Sequence, residues 1–134
     1  MTLKPLKNPC ASCPYRKDVP SGVWAAEEYL KLPLYDRETT EQPIAVFQCH
    51  QRNGHACSGW VACHDMQNNF AIRVAASMGH IDDMDAFLDY KTDVPLHESG
   101  MDACVHGLRD VMEPSEEASK VMAKIRKVHD GKPE

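Results

Sequence analysis

Hydrophobic residues recur every three or four positions through the second half of the chain, which is the spacing of one face of an α-helix. The pattern predicts four helices there: one from Asp65 to about Met78, a shorter one after Asp82, one after Ser99 and one after Pro114. We expect their apolar faces to supply most of the core. In chain order, these faces are Met66, Phe70, Val74 and Met78; Met84, Phe87 and Leu88; Met101, Val105, Leu108 and Met112; and Ala118, Val121, Ile125 and Val128.

Polar residues that commonly cap helices stand at the ends of these segments. Asp65 and Asp82 precede two of them, and Ser99 together with Asp102 resembles a capping box. Gly79 stands just past the end of the first helix, where glycine is favoured. These signals place the predicted helix boundaries.

The first half of the chain is poorer in periodic hydrophobic residues. Prolines interrupt residues 1–20, so this stretch is predicted to be irregular. Ser21 is the expected N-cap of a helix over Gly22–Leu32, which Pro33 ends. The β-branched and aromatic run Ile44–Gln48 predicts a strand.

A turn is predicted shortly after this strand. Asn53-Gly54 is a strong turn signal, and it lies between two cysteines. A hairpin-like excursion through the turn would bring Cys57 back near Cys49. Only a local return of the chain is needed for these two thiols to meet.

The predicted fold class is mainly α, with about five helices and one or two short β-strands, as a small metal-stapled α+β domain. Residues 1–134 are expected to form a single domain. Within it, residues 1–64 are the loop-rich, metal-binding half and residues 65–130 are the helical half. The first half has little core of its own in this interpretation, so a bound metal would hold it in place.

The composition of the chain indicates its class of protein, its cell compartment and the partners that its charge disfavours. The 134 residues are 43% hydrophobic and 26% charged, which is ordinary for a globular protein, and no apolar run approaches the roughly 20 residues of a membrane span. The N-terminus lacks the apolar region of a signal peptide, so we expect a cytoplasmic protein with reduced thiols. The net charge of −5 argues against a nucleic-acid partner.

Cysteine spacing carries the strongest chemical signal. Cys10 and Cys13 form a C-x2-C pair, and Cys49 and Cys57 follow as a C-x7-C pair. Zinc takes four tetrahedral ligands that are usually thiolates or imidazoles. We therefore predict that these four cysteines bind one zinc ion that joins the N-terminal loops to the helical half.

A 4Fe-4S cluster is the alternative cofactor. Such clusters take four cysteine thiolates and tolerate irregular spacing, and proline after a ligand cysteine occurs in that class, as in Cys13-Pro14. Nearby aromatic residues suit a cluster as well. They are Tyr15, Trp24, Phe47 and Trp60.

Three further residues could replace a nominated ligand. His50 directly follows Cys49, and Cys63 and His64 lie between Cys57 and the next predicted helix. Any one of these three could replace a nominated ligand, and a histidine in that place would give a Cys3His site. Cys104 differs from them, because it lies on a predicted apolar helix face. We expect it to be a buried structural cysteine.

No complete catalytic signature is present. His97-Glu98 begins an H-E-x-x-H motif, but position 101 is Met, and no H-x-E accompanies the P-C-x-x-C of the zinc deaminases. We therefore predict a non-enzymatic regulatory or interaction module with a protein partner. The alternatives are an iron–sulfur redox or regulatory protein, or a small metalloenzyme with an open metal position near Cys63 and His64.

Three stretches of the sequence carry a family resemblance. They read CASCPYRKDVPSGVW, EEYLKLPLYD and FQCHQRNGHACSGWVACHD, and the similarity spans roughly residues 8–80. The chain resembles a family of unknown function, made up of small cysteine-motif proteins from actinobacteria and their phages. The resemblance implies a small cytoplasmic protein, phage-encoded in some cases, and no established activity.

A fainter resemblance is to the WhiB-like iron–sulfur regulators. It is carried by CxxCP-x-R at residues 10–16 and by Gly22-Val23-Trp24. The chain departs from that family, because it lacks a C-x2-C-x5-C run and because Ala-Ala follows Trp24 in place of Gly-Gly. What this likeness implies is the cluster alternative.

Overall fold

A computed structural model describes residues 2–49 and 54–130 of the chain. It is mainly α-helical with two short strands, as the hydrophobic pattern predicts. Single-turn 3-10 helices fill three of the connections, at Leu32–Asp36, Thr39–Glu41 and Met66–Asn68. The strands are β1 (Lys4–Pro5) and β2 (His55–Ala56), and the α-helices are α1 (Ala26–Leu30), α2 (Ser58–Cys63), α3 (Phe70–Ser77), α4 (Asp85–Leu88), α5 (Gly100–Leu108) and α6 (Glu116–Asp130).

The small sheet is not the one that the sequence predicts. β1 pairs with β2 in parallel, with Lys4 opposite His55. The predicted strand Ile44–Gln48 is wrong, since its one strand-like pairing is an isolated antiparallel bridge from Gln48 to Ala56. β2 is only two residues long, so it offers its neighbours a very short ladder.

The predicted turn before β2 is confirmed at Gly54, which has a φ of +83° that favours glycine. Asn53, the other half of the signal, lies outside the described residues. Beyond the turn, the Cys57 N–H donates to the Phe47 carbonyl at 2.8 Å and the Cys49 N–H to the His55 carbonyl at 2.9 Å. The hairpin-like return therefore forms, although it is not built on an extended strand pair.

The first helix begins later than predicted. Ser21 does not cap it, because its hydroxyl donates to the Gly107 carbonyl at 3.1 Å and accepts from the Asp110 N–H at 2.8 Å. Gly22 adopts a φ of +79°, which keeps it out of a right-handed helix, and α1 starts at Ala26. Ser21 and Gly22 thus anchor the N-terminal segment to the far end of α5.

Capping predictions succeed where the cap and helix are adjacent. Ser99 starts α5, and its hydroxyl accepts from the Asp102 N–H at 3.0 Å. Asp65 caps only a 3-10 turn, because Asn69 accepts from the Ile72 N–H and starts α3 separately. Asp82 is wrong as the cap of the next helix; the Asp83 side chain accepts from that first turn instead.

The inner faces of α3 and α5 differ from the predicted ones. On α5, Met101 and Val105 are 53% and 63% exposed, and small residues are buried in their place. The reason is close packing: a Cβ on Gly107 would overlap the Tyr29 ring, and one on Gly100 would overlap the Leu32 carbonyl. The buried residues are Ala71, Ile72 and Ala75 on α3, and Gly100, Ala103, Cys104 and Gly107 on α5.

Both halves of the chain supply the core, which corrects the expectation that residues 65 onward dominate it. Trp60 and Tyr15 are fully buried, and they belong to the first half. The main cluster contains Cys13, Tyr15, Tyr29, Leu32, Tyr35, Phe47, Ala56, Cys57, Trp60 and Val61 from that half, and Met66, Ala71, Ile72, Phe87, Ala103 and Cys104 from the other. The cysteine segments are therefore embedded in the core.

The last helix forms a second, smaller apolar cluster. Ala118 of α6 is fully buried and packs with Val19 and Val23, and Ile125 lies partly buried against them. The predicted face of α6 is thus confirmed as far as Ile125, while Val128 lies outside the residues whose side chains are described. Among the described residues, no helix is long and apolar enough to cross a membrane.

A four-cysteine cluster as the candidate metal centre

The first two cysteines lie on a tight turn in the irregular N-terminal segment, as their spacing predicts. The Cys13 N–H donates to the Cys10 carbonyl at 3.0 Å, and the Arg16 N–H donates to the Cys13 carbonyl at 3.1 Å. Cys13 is fully buried, whereas Cys10 is half-buried. The turn therefore buries Cys13 fully and leaves Cys10 partly accessible.

Two of the four predicted ligands are in direct contact, in a pairing that sequence spacing does not reveal. The Cys13 and Cys57 sulfurs lie 3.6 Å apart, although 44 residues separate them. The pKa of Cys10 is raised, chiefly through an interaction with Cys49, so these two side chains also lie near each other and form a second pair. Each cysteine of the N-terminal turn thus faces one cysteine of the central segment, and we call these four residues the cysteine cluster.

Hydrogen bonds favour a thiolate at Cys13. Its pKa is lowered, chiefly because the Cys57 thiol donates a hydrogen bond to its sulfur. The backbone groups of Tyr15 and Gly59 add further hydrogen bonds, and together they outweigh burial, which alone would raise the pKa. Negative charge is therefore stabilised on a sulfur that has no exposure to water.

The donor thiols of the two pairs behave in the opposite way. Burial, followed by the hydrogen bond to Cys13, raises the pKa of Cys57 well above its ordinary value. The hydrogen bond to Cys49, followed by burial, raises the pKa of Cys10. Each pair therefore holds at least one proton, and that proton would have to leave for both sulfurs to act as metal ligands.

A glycine makes room for the cluster. A Cβ built on Gly59, in the first turn of α2, would lie 2.5 Å from the Cys13 sulfur and 2.8 Å from the Tyr15 Cβ. Real side chains do not approach so closely, so only glycine fits there. The sequence signal for this residue was weak, since no helix was predicted over residues 58–63 and Gly59 was recognisable only as a glycine two positions after a nominated ligand.

Aromatic side chains that the sequence singled out share the core with Cys13 and Cys57. Tyr15, Phe47 and Trp60 are buried in the same core, and the Tyr15 and Phe47 rings meet edge to face with centroids 6.1 Å apart. Trp24 is partly buried and donates from its indole nitrogen to the Ser12 carbonyl at 2.7 Å. That bond ties Trp24 to the residue beside Cys13.

Cys63 and His64, the proposed replacements, line a separate polar pocket of about 740 Å³ with Asp36. The Nε2 atom of His64 is hydrogen-bonded to the Tyr15 hydroxyl at 3.0 Å, and its Nδ1 atom lies 3.6 Å from Asp36. Burial lowers the pKa of His64 to about 4, against the opposing effect of Asp36. Both ring nitrogens thus have other partners.

The other cysteines and histidines that were considered as ligands are Cys63, His50 and Cys104. Burial, and secondarily Asp36 and Asp102, raises the pKa of Cys63 to about 12, so it is a protonated thiol. His50 lies outside the described residues. Cys104 is only 4% exposed within the core, which confirms that it is buried.

The cysteine cluster is not a preformed metal cage. Within residues 2–49 and 54–130, no group of three or more histidine, cysteine, aspartate or glutamate side chains is already arranged to hold a metal ion. The Cys13 and Cys57 thiols form a hydrogen-bonded pair instead. To bind one ion, the two pairs would have to lose their protons and turn their sulfurs toward a common centre.

Comparison with known proteins identifies the family and leaves its function open. The model of a family of unknown function, DUF6283, matches residues 5–127, so the chain belongs to that family. No curated protein and no solved structure matches the chain. The family resemblance that the sequence motifs suggested is thus confirmed at the level of a family of unknown function.

Proposed function

We propose that Cys10, Cys13, Cys49 and Cys57 bind one zinc ion, and that this metal joins the N-terminal turn to the central segment. The observation that carries the proposal is the contact between thiols that are distant in the chain, with the Cys13 and Cys57 sulfurs 3.6 Å apart and Cys10 interacting with Cys49. A tetrahedral zinc site with Zn–S distances of about 2.3 Å places its sulfurs about 3.8 Å apart. One pair therefore already has the required spacing.

The surroundings of the cluster support thiolate ligands. Backbone hydrogen bonds from Tyr15 and Gly59 stabilise negative charge on Cys13. Zinc binding would remove the protons that Cys10 and Cys57 otherwise hold, because a ligand sulfur must be deprotonated. When bound, the ion would supply cross-linking energy, on the order of 10 kcal/mol in small structural zinc sites.

A single ion is better supported than the 4Fe-4S alternative. In a four-iron cluster, each thiolate binds a different iron atom, so the ligand sulfurs stand farther apart than they do around one ion. The 3.6 Å contact between Cys13 and Cys57 leaves no room for a cluster face between them. Iron–sulfur ligation would require these two buried segments to separate.

Elemental analysis and absorbance of anaerobically purified protein test this part of the proposal. We expect about one zinc per chain, as four ligands imply, and no colour. A brown protein with broad absorbance near ~400 nm would establish the cluster instead. Protein that contains neither metal and retains six free thiols would refute the metal site.

We further propose that the metal-bound chain is a non-enzymatic regulatory or interaction module with a protein partner, in the cytoplasm of an actinobacterium or of a phage-infected host. The engaged ring nitrogens of His64 and the protonated Cys63 leave these residues poorly suited to catalysis. On the outer face of α5, Met101 and Val105 are more than half exposed. Exposed apolar side chains on one helix face are typical of protein contacts.

Affinity capture with matched variants tests the partner. Wild-type protein should retain one stoichiometric partner, and Val105→Glu should lose it, because the substitution places a charge on the outer face of α5. Ile44→Glu is the control, since Ile44 is also exposed, at 61%, but lies on another segment. A partner that both variants retain would refute the assignment to α5. Hydrolytic or redox turnover that is lost with Cys63→Ser and His64→Gln would favour the metalloenzyme alternative.

A further inference from the structure

We propose that an extended, uncharged peptide segment of a partner protein binds beside Gln48, where it adds a strand to the small sheet. Its place is the groove between residues 43–49 and the side chains of α1 and of the 3-10 helix Leu32–Asp36. Met101 and Val105, on the outer face of α5, do not line this groove. The inference therefore goes beyond the proposed function, and it requires neither the metal nor the α5 contact.

The hydrogen bonds to β2 show which way the backbone of Gln48 points. Gln48 lies opposite Ala56 in an antiparallel bridge. The bonds to β2 are made on either side of Gln48, by the Phe47 carbonyl at 2.8 Å and by the Cys49 N–H at 2.9 Å. Because the backbone groups of successive residues in an extended chain alternate in direction, the N–H and C=O of Gln48 point away from β2.

Gln48 therefore lies on an open edge of the sheet. β2 pairs with β1 on its other side, so the order across the sheet is β1, β2 and then residues 47–49. Within residues 2–49 and 54–130, the Gln48 N–H and C=O make no hydrogen bond, and the residue is exposed. An open edge of this kind offers a donor and an acceptor to an extended segment of another chain.

The opposite side of the groove gives such a segment a second surface to contact. The groove has a volume of about 540 Å³, and the residues that face the edge across it are Glu28, Lys31, Leu34 and Tyr35. The Tyr35 hydroxyl donates to the Ala45 carbonyl at 2.6 Å, which fixes the separation of the two sides at one point. A strand in this groove would pair its backbone with Gln48 and pack alternate side chains against the helical side.

The charges in the groove select the chemistry of the segment. The Lys31 ammonium pairs with the Glu28 carboxylate at 3.1 Å, so these two charges compensate each other. Leu34, beside them, is apolar and 37% exposed. A charged peptide side chain would lose water in this groove without gaining an uncompensated charge as its partner. Uncharged, β-branched side chains, which also favour the extended conformation, fit the groove best.

Selection from a library of random decapeptides displayed on phage, followed by N-methylation of the strongest binder, tests the proposal. Each N-methyl group removes one backbone N–H from the peptide. Alternate N–H groups of a strand face the same edge, so methylation at alternate positions should weaken binding at least about tenfold, and methylation between them should have little effect. Fluorescence anisotropy with the wild-type protein measures the affinities. A library that yields no binder, a binder rich in charged residues, or N-methyl derivatives without this alternation would overturn the proposal.

Two substitutions of Gln48 separate backbone pairing from side-chain contact. Gln48→Pro removes the edge N–H, and the sheet should tolerate it because that N–H does not face β2. Gln48→Ala keeps the N–H and shortens the side chain. Gln48→Pro should weaken binding of the selected peptide at least about tenfold, and Gln48→Ala should stay within about twofold of wild type.

The folding of both variants is checked by circular dichroism and thermal unfolding. If Gln48→Pro does not fold, the alternation among the N-methylated peptides decides the question with wild-type protein alone. A folded Gln48→Pro protein that binds the peptide as tightly as wild type would overturn the proposal. Val105→Glu should leave peptide binding unchanged, and loss of the peptide in that variant would place its site on α5 instead.

Discussion

Replacing Gly59 with alanine should directly disturb the packing around the Cys13 sulfur in the cysteine cluster. The added methyl group would stand 2.5 Å from the Cys13 sulfur and 2.8 Å from the Tyr15 Cβ. Contact distances between such atoms are about 3.5–4.0 Å, so the sulfur or the helix must move by about 1 Å. The Cys13 sulfur has little freedom to do so, because Cys13 is fully buried and its sulfur is already in contact with Cys57 at 3.6 Å.

The magnitude follows from two opposing contributions. Overpacking of a filled core costs about 1–3 kcal/mol, while exchange of glycine for alanine within a helix returns up to about 1 kcal/mol. The expected net loss in unfolding free energy is about 1–2 kcal/mol. For a chain of 134 residues, that corresponds to a melting temperature lower by roughly 4–7 °C.

Zinc affinity should fall more steeply than stability. Metal sites tolerate ligand displacements of only about 0.2 Å, so a shift of the Cys13 sulfur should weaken binding by at least about tenfold. Competition with a chromogenic chelator measures the affinity, and thermal unfolding with and without zinc measures the stability. Both measurements use the full-length chain.

Ala62→Gly is the matched control, because Ala62 lies on the same helix but is exposed. It should lose about 1 kcal/mol through helix propensity and retain the zinc affinity of wild type. A Gly59→Ala protein that is as stable as wild type would contradict the packing around Cys13. One that loses stability but binds zinc equally well would exclude Cys13 from the ligand set.

Three further predictions separate ligands from bystanders. Cys49→Ser should lose the zinc and lower the melting temperature, whereas Cys63→Ser should keep the metal content of wild type. Metal per chain is the measurement, and an equal loss of metal in both variants would make Cys63 a ligand. Cys104→Ala should bind zinc normally and cost only about 1 kcal/mol in chemical denaturation, and a metal-free variant would place the site elsewhere. For His64, the folded-state pKa of about 4 lies below the ordinary 6.5, so the unfolded chain binds the proton more readily. The contribution of neutral His64 to the free energy of unfolding should therefore be fully present above pH 6.5 and should be lost as the pH falls toward 4, by up to about 3 kcal/mol in urea titrations. His64→Gln should remove this part of the pH dependence.

Local chemistry was readable from the sequence wherever the interacting groups are close along the chain. The Ser99 cap depends on the Asp102 N–H three residues away, and the turn at Cys10 depends on the Cys13 N–H. Side-chain caps and tight turns need only the right residue types at short spacing. For the same reason, the mainly α class could be predicted.

The buried face of a helix could not be predicted from the positions of its large apolar residues. The pattern placed Met101 and Val105 inside, but α5 buries its small residues, because Gly107 lets the Tyr29 ring pack directly against the helix. Periodicity reports that one face is more apolar than another. It does not report where a neighbouring element can approach most closely, which shape decides.

The strand assignment failed for a related reason. Ile44–Gln48 has the composition of a strand, but a strand also needs a partner of matching length, and β2 provides only His55–Ala56. β2 also pairs with β1, which comes from the N-terminus. Pairing between segments so far apart is a property of the folded chain and leaves little trace in either segment.

The sequence by itself determined which thiols are available, and the tertiary structure decided how they meet. Spacing grouped Cys10 with Cys13 and Cys49 with Cys57, as neighbours along the chain. The fold instead sets Cys13 against Cys57 and Cys10 against Cys49, because the buried N-terminal turn packs on the start of α2, where Gly59 leaves room for a sulfur. Local spacing limits how far two residues can separate, whereas contact between distant segments depends on the packing of the whole core.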